Sequence, residues 1–290
     1  MSSKTPVRVD GRELVLSNLG KVLYPEVGFT KAEVIDYYSR VAPVLLPHLE
    51  GRPLTVKRYP NGVDGKYFFE KNAPSHVPDW LRRVTVPVPG SSMNRDTIDF
   101  AVIEDLPSLV YYANLAALEL HVPQWRVTGD GAAIDPDTLV FDLDPGPPAT
   151  IVECCRVALM LREVLAADGL TARPKTSGNK GMQLYAAWDG RQEPSAYAKD
   201  LARLLEKEAP KLVVSVMTRK ARPGKVFIDW SQNNPAKTTV APYSLRARQR
   251  PTVSTPLLWS EVEECERPDD LVFTSADVLA RVEEHGDLFT

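Results

Sequence analysis

The sequence has few of the features that mark secreted or membrane proteins. It contains three cysteines, of which Cys154 and Cys155 are adjacent and Cys265 lies far along the chain. This spacing forms neither a disulfide framework nor a zinc-binding pattern. No apolar run approaches the roughly 20 residues of a membrane span, and the N-terminal MSSKTPVRVD has no signal-peptide core. The sequence therefore predicts a cytoplasmic protein with reduced thiols and no membrane partner.

The chain also lacks an excess of positive charge, because its formal net charge is −3. That total argues against a nucleic-acid partner, but the basic residues are unevenly distributed. They are concentrated in segments 21–31, 57–58, 173–180, 219–225 and 246–250. A local basic surface matters more for phosphate binding than the net charge does. A polyanionic partner is therefore compatible with the sequence.

Turn residues and hydrophobic periodicity divide the first half into short elements. VRVDGRELVLSN predicts a β-hairpin that turns at Asp10-Gly11. The capping-box spacing of Thr30 and Glu33 predicts a helix that begins there. RPLTVKRYP, KYFFEKN and TIDFAVIED are typical of strands. The segment LPSLVYYANLAALEL, residues 106–120, is apolar nearly all round, and we interpret it as a buried helix.

The second half alternates strands with helices more regularly. Strands are predicted over LVFDLD, up to Lys175, over MQLYAAW and over KVFIDWSQN, with helices over TIVECCRVALMLREVLAADG and PSAYAKDLARLLEKEAP. Neighbouring strands are as common as strand–helix–strand units, which predicts an α+β fold with mixed or antiparallel sheets flanked by helices. We expect one catalytic unit over residues 1–290, made of interlocked subdomains 1–135 and 136–290.

The strand LVFDLDPG, residues 139–146, carries two acidic residues in an apolar setting. Side chains alternate along a strand, so Asp142 and Asp144 share one face while residues 139, 141 and 143 occupy the other. Two close anions repel each other and lose hydration, and a coordinated cation would remove that cost. A surface strand end, or an aspartate that caps the following turn, is the alternative explanation of a lone D-x-D motif.

A third acidic residue strengthens the metal interpretation. Asp229 lies within the apolar strand FIDWSQN, residues 227–233. Hard divalent cations require several oxygen ligands, and three carboxylates could supply them to a pair of ions. The sequence therefore predicts a metal site at Asp142, Asp144 and Asp229.

The loop TSGNKG, residues 176–181, lies between the two acidic strands. Its glycines permit close backbone approach, Ser177 offers a hydroxyl and Lys180 a positive charge. Such loops suit a phosphate or a triphosphate, although the spacing is not that of a Walker A loop. The alternative is a glycine-containing hairpin turn with an exposed lysine. The position between two acid-bearing strands favours phosphate binding.

FDLD, SGNKG and FIDW, in this order and spacing, resemble the three motifs of the archaeo-eukaryotic primase superfamily. The resemblance is closest to the polymerase domain of bacterial ligase D and to stand-alone relatives of the actinobacterial type, the primase-polymerases associated with ligase C. It extends over nearly the whole chain, through LSNLGKVLYPEVGFTK, RPLTVKRYPNGVDGKYFFEKN, LELHVPQWR and FIDWSQNNPAKTTVAPYSLRAR. The resemblance implies a primase-polymerase catalytic core that uses NTP or dNTP and two Mn²⁺ or Mg²⁺ ions.

The resemblance also implies roles for individual residues. The catalytic metal ligands would be Asp142, Asp144 and Asp229. The incoming nucleotide would be bound by Lys57, His121, Ser177, Lys180, Gln183, Arg222, Gln232 and Arg246. The downstream 5′-phosphate of a gap would be bound by Asn18, Lys21 and Lys31. Template bases would stack on Phe68 and Phe69, and Arg58 would make a further DNA contact.

Several of these residues also have a purely structural explanation. A lone histidine such as His121 is more often structural, and Lys31 alone could be only a helix-surface charge. Adjacent aromatic residues on a strand point to opposite faces, so one ring of Phe68 and Phe69 would usually lie in the core. Lys57 and Arg58 could belong to a solvated strand edge.

One position departs from the family pattern. The second motif commonly ends in a histidine two residues after its last glycine, where this chain has Gln183. A neutral amide gives a weaker and less pH-dependent contact to phosphate than an imidazole does. The strength of triphosphate binding is therefore in question, whereas the two-metal chemistry is not. The methionine start and Gln183 favour a stand-alone enzyme over an excised domain.

The sequence favours a template-dependent nucleotidyltransferase that extends DNA primers across short gaps or at broken ends, and the resemblance implies that it favours ribonucleotides. One alternative is a metal-dependent nuclease, in which a triphosphate-binding loop has little purpose. The other is a non-catalytic module that bridges DNA ends, which has no need of the three acids. End joining with a Ku-like protein and a DNA ligase, and gap filling in excision repair, both fit a 5′-phosphate site. We expect a monomer whose partner is gapped or broken duplex DNA with a downstream 5′-phosphate.

Overall fold

The structure is a computed structural model that describes residues 4–88 and 96–290. The strands are β1 (Lys4–Val9), β2 (Arg12–Ser17), β3 (Val22–Tyr24), β4 (Phe29–Thr30), β5 (Thr55–Arg58), β6 (Phe68–Glu70), β7 (Arg83–Pro87), β8 (Thr97–Ala101), β9 (Ala117–Val122), β10 (Thr138–Pro145), β11 (Arg173–Thr176), β12 (Met182–Ala187), β13 (Val213–Val214), β14 (Val226–Asp229) and β15 (Thr239–Val240). The helices are α1 (Lys31–Leu49), α2 (Leu106–Asn114), α3 (Ile151–Ala167), α4 (Pro194–Glu208), α5 (Trp259–Glu263) and α6 (Ser275–His285). The predicted α+β class is confirmed.

The local signals near the N-terminus form the elements they predict. β1 and β2 pair antiparallel around Asp10 and Gly11, whose φ angles of 45° and 80° suit a tight hairpin turn. The Thr30 side chain accepts a hydrogen bond from the Glu33 backbone, and the Glu33 carboxylate accepts one from the Thr30 backbone. None of the described helices combines the length and the apolar character needed to cross a membrane.

The apolar segment 106–120 is not a single helix. α2 ends at Asn114, Ala116 adopts a left-handed conformation with φ 59°, and β9 begins at Ala117. All six residues of β9 are buried, because the strand lies between β15 and β5 within a four-stranded sheet. A strand buried on both faces has the same uniformly apolar sequence as a buried helix. The prediction of a helix was therefore wrong from residue 115 onward.

A five-stranded sheet, in the order β11-β12-β10-β14-β13, occupies the second half. Its pairs are antiparallel except for β13 with β14. α3 and α4 bury their apolar residues against one face, together with Leu139, Phe141 and Leu143 of β10. The opposite face of β10 is the one that carries its two aspartates.

The chain after residue 238 returns to the first sheet. β15 pairs with β9, and Tyr243, Leu245 and Val253 lie in the hydrophobic core around α1. α6 packs on α1. Residues distant in sequence therefore face each other between the four-stranded and the five-stranded sheet. The subdomain bounds 1–135 and 136–290 stay a prediction.

Candidate active site

Adjacent strands bring the three predicted metal ligands together. Asp142 lies directly opposite Asp229 in the antiparallel pair of β10 and β14, and Asp144 follows on the same face of β10. The side chains of residues 139, 141 and 143 are fully buried on the other face, as the alternation predicts. The three carboxylates therefore share one surface of the sheet.

The electrostatics of this surface are unfavourable without a cation. Burial, followed by the negative charges of Asp144 and Asp229, raises the pKa of Asp142. Burial and the charge of Asp229 raise the pKa of Asp144, and the positive charge of Arg222 opposes that shift. A divalent cation would relieve this repulsion, and carboxylate oxygens are its preferred ligands.

The three carboxylates do not converge on one metal position. Among residues 4–88 and 96–290, no group of three acidic, histidine or cysteine side chains surrounds a single ion-sized position. Mg²⁺ in phosphoryl-transfer sites is commonly held by one or two carboxylates, together with substrate phosphates and water. The open arrangement fits ions that share their ligands with a bound triphosphate.

Two glutamines donate hydrogen bonds to two of the three carboxylates. Gln183 of β12 is opposite Asp142, and its Nε2 donates to Asp142 Oδ1 at 3.0 Å. Gln232 follows β14 in a 3₁₀ turn, and its Nε2 donates to Asp229 Oδ2 at 2.8 Å. Ser231 and Lys237, which the sequence reasoning missed, complete the surroundings of Asp229. A nucleotide contact by either glutamine stays a prediction, because both amides are directed at the acids.

The loop TSGNKG is packed against the protein by its glycines. A Cβ atom at Gly178 would lie 2.6 Å from Arg246 Cγ, and one at Gly181 would lie 2.0 Å from the Leu143 carbonyl oxygen. Ser177 Oγ accepts from the backbone N–H groups of Asn179 and Gly181, so its own proton remains available to a phosphate. Lys180 is exposed. The loop is a closely packed turn beside the carboxylates rather than an isolated hairpin.

The buried acid Glu119 contacts three of the predicted nucleotide-binding side chains. Glu119 Oε2 lies 2.9 Å from His121 Nε2 and 3.1 Å from Lys57 Nζ, while Oε1 lies 3.4 Å from Arg246 Nε. Arg246 also donates from Nη1 to the Ser177 carbonyl at 2.8 Å. The cluster therefore joins β5 and β9 to the TSGNKG loop, and the structure brings these predicted residues together.

The charge of Glu119 is stabilised by this cluster. Burial alone would raise its pKa, but the hydrogen bond from His121 and the positive charge of Arg246 outweigh burial and hold the pKa well below its usual value. Burial lowers the pKa of His121, and Glu119 opposes that shift. The sequence reasoning missed Glu119, although its spacing of two residues from His121 on a strand places both on one face.

Arg222 also lies beside the site. Its guanidinium carbon is 3.7 Å from the centre of the Phe227 ring, and its Nη2 donates to the Met217 carbonyl at 2.9 Å. Its charge acts on Asp144, as described above. This position supports the predicted site membership of Arg222, whereas its contact with a nucleotide stays a prediction.

A second basic site lies at the start of α1. Lys31 N–H donates to the Lys21 carbonyl, Lys21 N–H donates to the Asn18 carbonyl, and Asn18 is left-handed with φ 53°. Lys31 is 6% exposed, and its Nζ donates to the Ser17 carbonyl at 2.6 Å. Lys31 is therefore not a helix-surface charge. Burial and the nearby charges of Lys21 and Arg58 lower its pKa to about 8.

Arg58 and Lys57 point in different directions, as alternation requires. Arg58 Nη1 lies 2.8 Å and 3.0 Å from the two carboxylate oxygens of Glu70, and its charge acts on Lys31. Lys57 faces Glu119 instead. Arg58 thus belongs to the side of Asn18, Lys21 and Lys31, and its contact with DNA stays a prediction.

Both rings of the aromatic pair are on the surface. Phe68 is 53% exposed and Phe69 is 51% exposed, so the expected core position of one ring does not apply. Phe68 is opposite Arg58 across β5 and β6, and Phe69 is opposite Lys57. The Phe69 ring also lies 6.5 Å from the His121 ring. The pair separates the two basic sites and offers an exposed face to each.

Comparison with known proteins accounts for this arrangement. The model of the LigD primase-polymerase domain matches residues 30–289. This chain belongs to the LigD primase-polymerase family. It is 44% identical over 276 residues to the multifunctional non-homologous end joining protein LigD of Mycolicibacterium smegmatis, covering 94% of this chain and 35% of that protein.

Two further relatives agree. The bifunctional non-homologous end joining protein LigD of Bacillus subtilis is 31% identical over 278 residues, which cover 94% of this chain and 43% of that protein. The solved polymerase domain of Mycobacterium tuberculosis ligase D, in complex with DNA, matches with a TM-score of 0.88 and 44% identity over 95% of this chain and 96% of that chain. The primase-polymerase fold is thereby confirmed. The chain spans less than half the length of these two LigD proteins.

Proposed function

We propose that this protein is a template-dependent nucleotidyltransferase that extends DNA primers and fills short gaps. The observation that carries the proposal is the position of three carboxylates beside a separate cationic cluster joined to a glycine loop. A nucleoside triphosphate needs both parts. Its phosphates require cations and N–H donors, and its reacting phosphorus requires a site for divalent ions.

Each part of the chain has a role in this mechanism. Lys57, His121 and Arg246 bind the triphosphate from one side, and Ser177 with Lys180 binds it from the loop. Asp142, Asp144 and Asp229 would hold two Mn²⁺ or Mg²⁺ ions, which activate the primer 3′-hydroxyl and neutralise the leaving pyrophosphate. Gln183 and Gln232 fix the orientation of two of these carboxylates. Phe68 and Phe69 stack template bases without reading their sequence.

The same arrangement weighs against the two alternative functions. A nuclease would use the carboxylates but would gain nothing from the Glu119 cluster and the TSGNKG loop. A bridging module would use the basic and aromatic surface but would keep three repelling acids for no purpose. The names of the relatives favour end joining at broken DNA over excision repair. A ligase and a Ku-like protein are the partners that the motif resemblance implies.

Primer extension on a short gapped duplex with Mn²⁺ tests the function directly. We expect templated addition with both ribonucleotides and deoxyribonucleotides, the former preferred, and stronger addition when the gap carries a downstream 5′-phosphate. The control is a template whose gap bases match none of the nucleotides supplied. Specific gap binding without any synthesis would contradict the proposal and favour a bridging module.

The preference for a 5′-phosphate should depend on pH. A phosphate monoester is a dianion above roughly pH 6, and the pKa of Lys31 in the free protein is about 8. The dianion binds the protonated amine, so the ratio of affinities for phosphorylated and unphosphorylated gaps should fall as the pH rises through about 8. Fluorescence anisotropy between pH 6.5 and 9.5 measures this ratio.

Replacing Lys31 by methionine should remove that pH dependence and most of the preference. Lys4→Met, a change of the same kind on the exposed strand β1, is the matched control. An unchanged preference in Lys31→Met would show that the phosphate binds elsewhere.

A further inference from the structure

A buried lysine lies behind the carboxylates, in a position that the proposed mechanism does not use. Lys175 of β11 is completely buried. Its Nζ donates to Gln183 Oε1 at 2.5 Å, to Ser254 Oγ at 2.7 Å and to the Val240 carbonyl at 3.0 Å. These partners come from β12, β15 and the segment after it, so the amine is enclosed by three parts of the chain.

The hydrogen bonds around Lys175 identify its charge state. Two partners are carbonyl oxygens, and Ser254 Oγ uses its own proton to donate to the Thr176 carbonyl at 2.8 Å. All three partners therefore accept, and an ammonium has three N–H groups to give. A neutral amine would direct its lone pair at an acceptor. The ring of Tyr185, 5.3 Å from Nζ, adds a further surface that favours a cation.

No carboxylate of the described chain forms an ion pair with this ammonium within 4.0 Å. One amide connects the Lys175 ammonium to the Asp142 carboxylate. Gln183 accepts from Lys175 with its oxygen and donates to Asp142 with its nitrogen. Burial lowers the pKa of Lys175 well below its usual value and the charge of Arg246 adds to that shift, whereas the charge of Asp142 and the three accepting partners favour the protonated amine. Lys175, Gln183 and Asp142 thus form a charge pair separated by one aligned amide dipole.

We propose that Lys175 is the counter-charge of Asp142 in the metal-free protein, acting through Gln183, and that it thereby weakens the affinity of the proposed metal site for divalent cations. The inference rests on the proposed function only in assigning the metal site to Asp142, Asp144 and Asp229. The amide of Gln183 suits this connection, because it accepts from the ammonium with its oxygen and donates to the Asp142 carboxylate with its nitrogen.

The physical consequence is that the Lys175 ammonium and a divalent cation compete for the negative charge of Asp142. Like charges several ångströms apart in the partly buried interior of a protein repel appreciably, since the effective dielectric constant there is about 20. Removing the ammonium should therefore tighten metal binding. The same removal should destabilise the metal-free protein, because three buried acceptors lose their donor and Asp142 loses its counter-charge.

Mn²⁺ titration followed by electron paramagnetic resonance of the free ion tests the proposal, with Lys175→Met and Lys175→Gln compared with the wild-type protein. We expect both variants to bind Mn²⁺ at least about tenfold more tightly. In thermal unfolding without metal, both variants should have a lower melting temperature than the wild type. Saturating Mn²⁺ should reduce this difference in melting temperature. Lys175→Gln retains N–H donors for its neighbours, so it separates charge from packing if Lys175→Met does not fold.

Unchanged or weaker Mn²⁺ binding in the folded variants would overturn the proposal and leave Lys175 a structural residue. Lys199→Met is the matched control, because Lys199 lies over the Trp230 ring and outside the hydrogen bonds to the carboxylates, and its Mn²⁺ affinity should equal that of the wild type. Asp229→Asn in the same titration separates the two levels of inference. If that variant binds Mn²⁺ normally, the metal site is misassigned, and the failure is that of the proposed function.

Discussion

Asp229→Asn should reduce templated primer extension by on the order of 10³-fold or more, since catalytic metal ions contribute several kcal/mol and each 1.4 kcal/mol is tenfold in rate. Asparagine keeps the shape of the side chain and can still accept from Ser231. It removes the negative charge opposite Asp142 and turns an amide N–H₂ towards a metal or towards the Gln232 donor. The measurement is single-turnover extension of a gapped duplex with saturating Mn²⁺.

The variant should still bind gapped DNA, because the basic residues 18, 21 and 31 and the two exposed rings are unchanged. Asp137→Asn is the matched control. Asp137 precedes β10 and pairs with Arg52 and Arg126, so it is an ion-paired aspartate outside the proposed machinery. Extension at the wild-type rate by Asp229→Asn would show that the chemistry does not depend on these carboxylates.

Glu119→Gln should lower the free energy of unfolding by about 3–5 kcal/mol, the usual cost of removing one partner from a buried ion pair. Lys57, His121 and Arg246 would lose the anion that they share. A bound triphosphate would replace that charge, so nucleoside triphosphate should raise the melting temperature of the variant more than that of the wild type. Denaturant unfolding with and without nucleotide measures both effects.

The kinetic effect of Glu119→Gln should appear mainly in kcat. Misplacing the cations that align the triphosphate can cost on the order of 10²-fold, whereas KM is subject to opposing influences, because the lost carboxylate also repelled the nucleotide. Glu261→Gln removes the charge of a glutamate that is paired with Arg281 and lies outside the Glu119 cluster, and it is the control for the chemical change. A rise in KM with unchanged kcat would contradict a positioning role for Glu119.

The stability difference should also depend on pH in a defined direction. The folded-state pKa of Glu119 is depressed, so its contribution is fully present above the ordinary glutamate pKa of about 4.3 and is lost as the pH falls further. The difference in the free energy of unfolding between the wild type and Glu119→Gln should therefore be constant between pH 6 and 8 and should decrease below about pH 4.

Local patterns in the sequence were sufficient for many elements. The capping box of Thr30 and Glu33 and the turn at Asp10-Gly11 depend on residues within a few positions of each other, and both formed as predicted. The alternation that places Asp142 and Asp144 on one face is equally local. The family motifs supplied the rest of the residue list, because they retain the order of the elements that meet at the site.

The failed helix prediction over residues 115–120 shows where local patterns stop being sufficient. A strand buried between β15 and β5 is apolar on every side, and periodicity cannot distinguish it from a buried helix. One of its two neighbours, β15, comes from more than a hundred residues later in the chain. The residues of the segment itself contain no signal that predicts its pairing with β15.

The sequence by itself determined the family, the order of the elements and the side of each strand on which an acid or a base lies. Only the tertiary structure decided which of these side chains meet. The positions of Asp142 opposite Asp229, of Glu119 among Lys57, His121 and Arg246, and of Lys175 behind Gln183 depend on strand register and on contacts across the chain. The physical reason is that alternation is a property of one strand, whereas the partner of a buried charge is fixed by the packing of several.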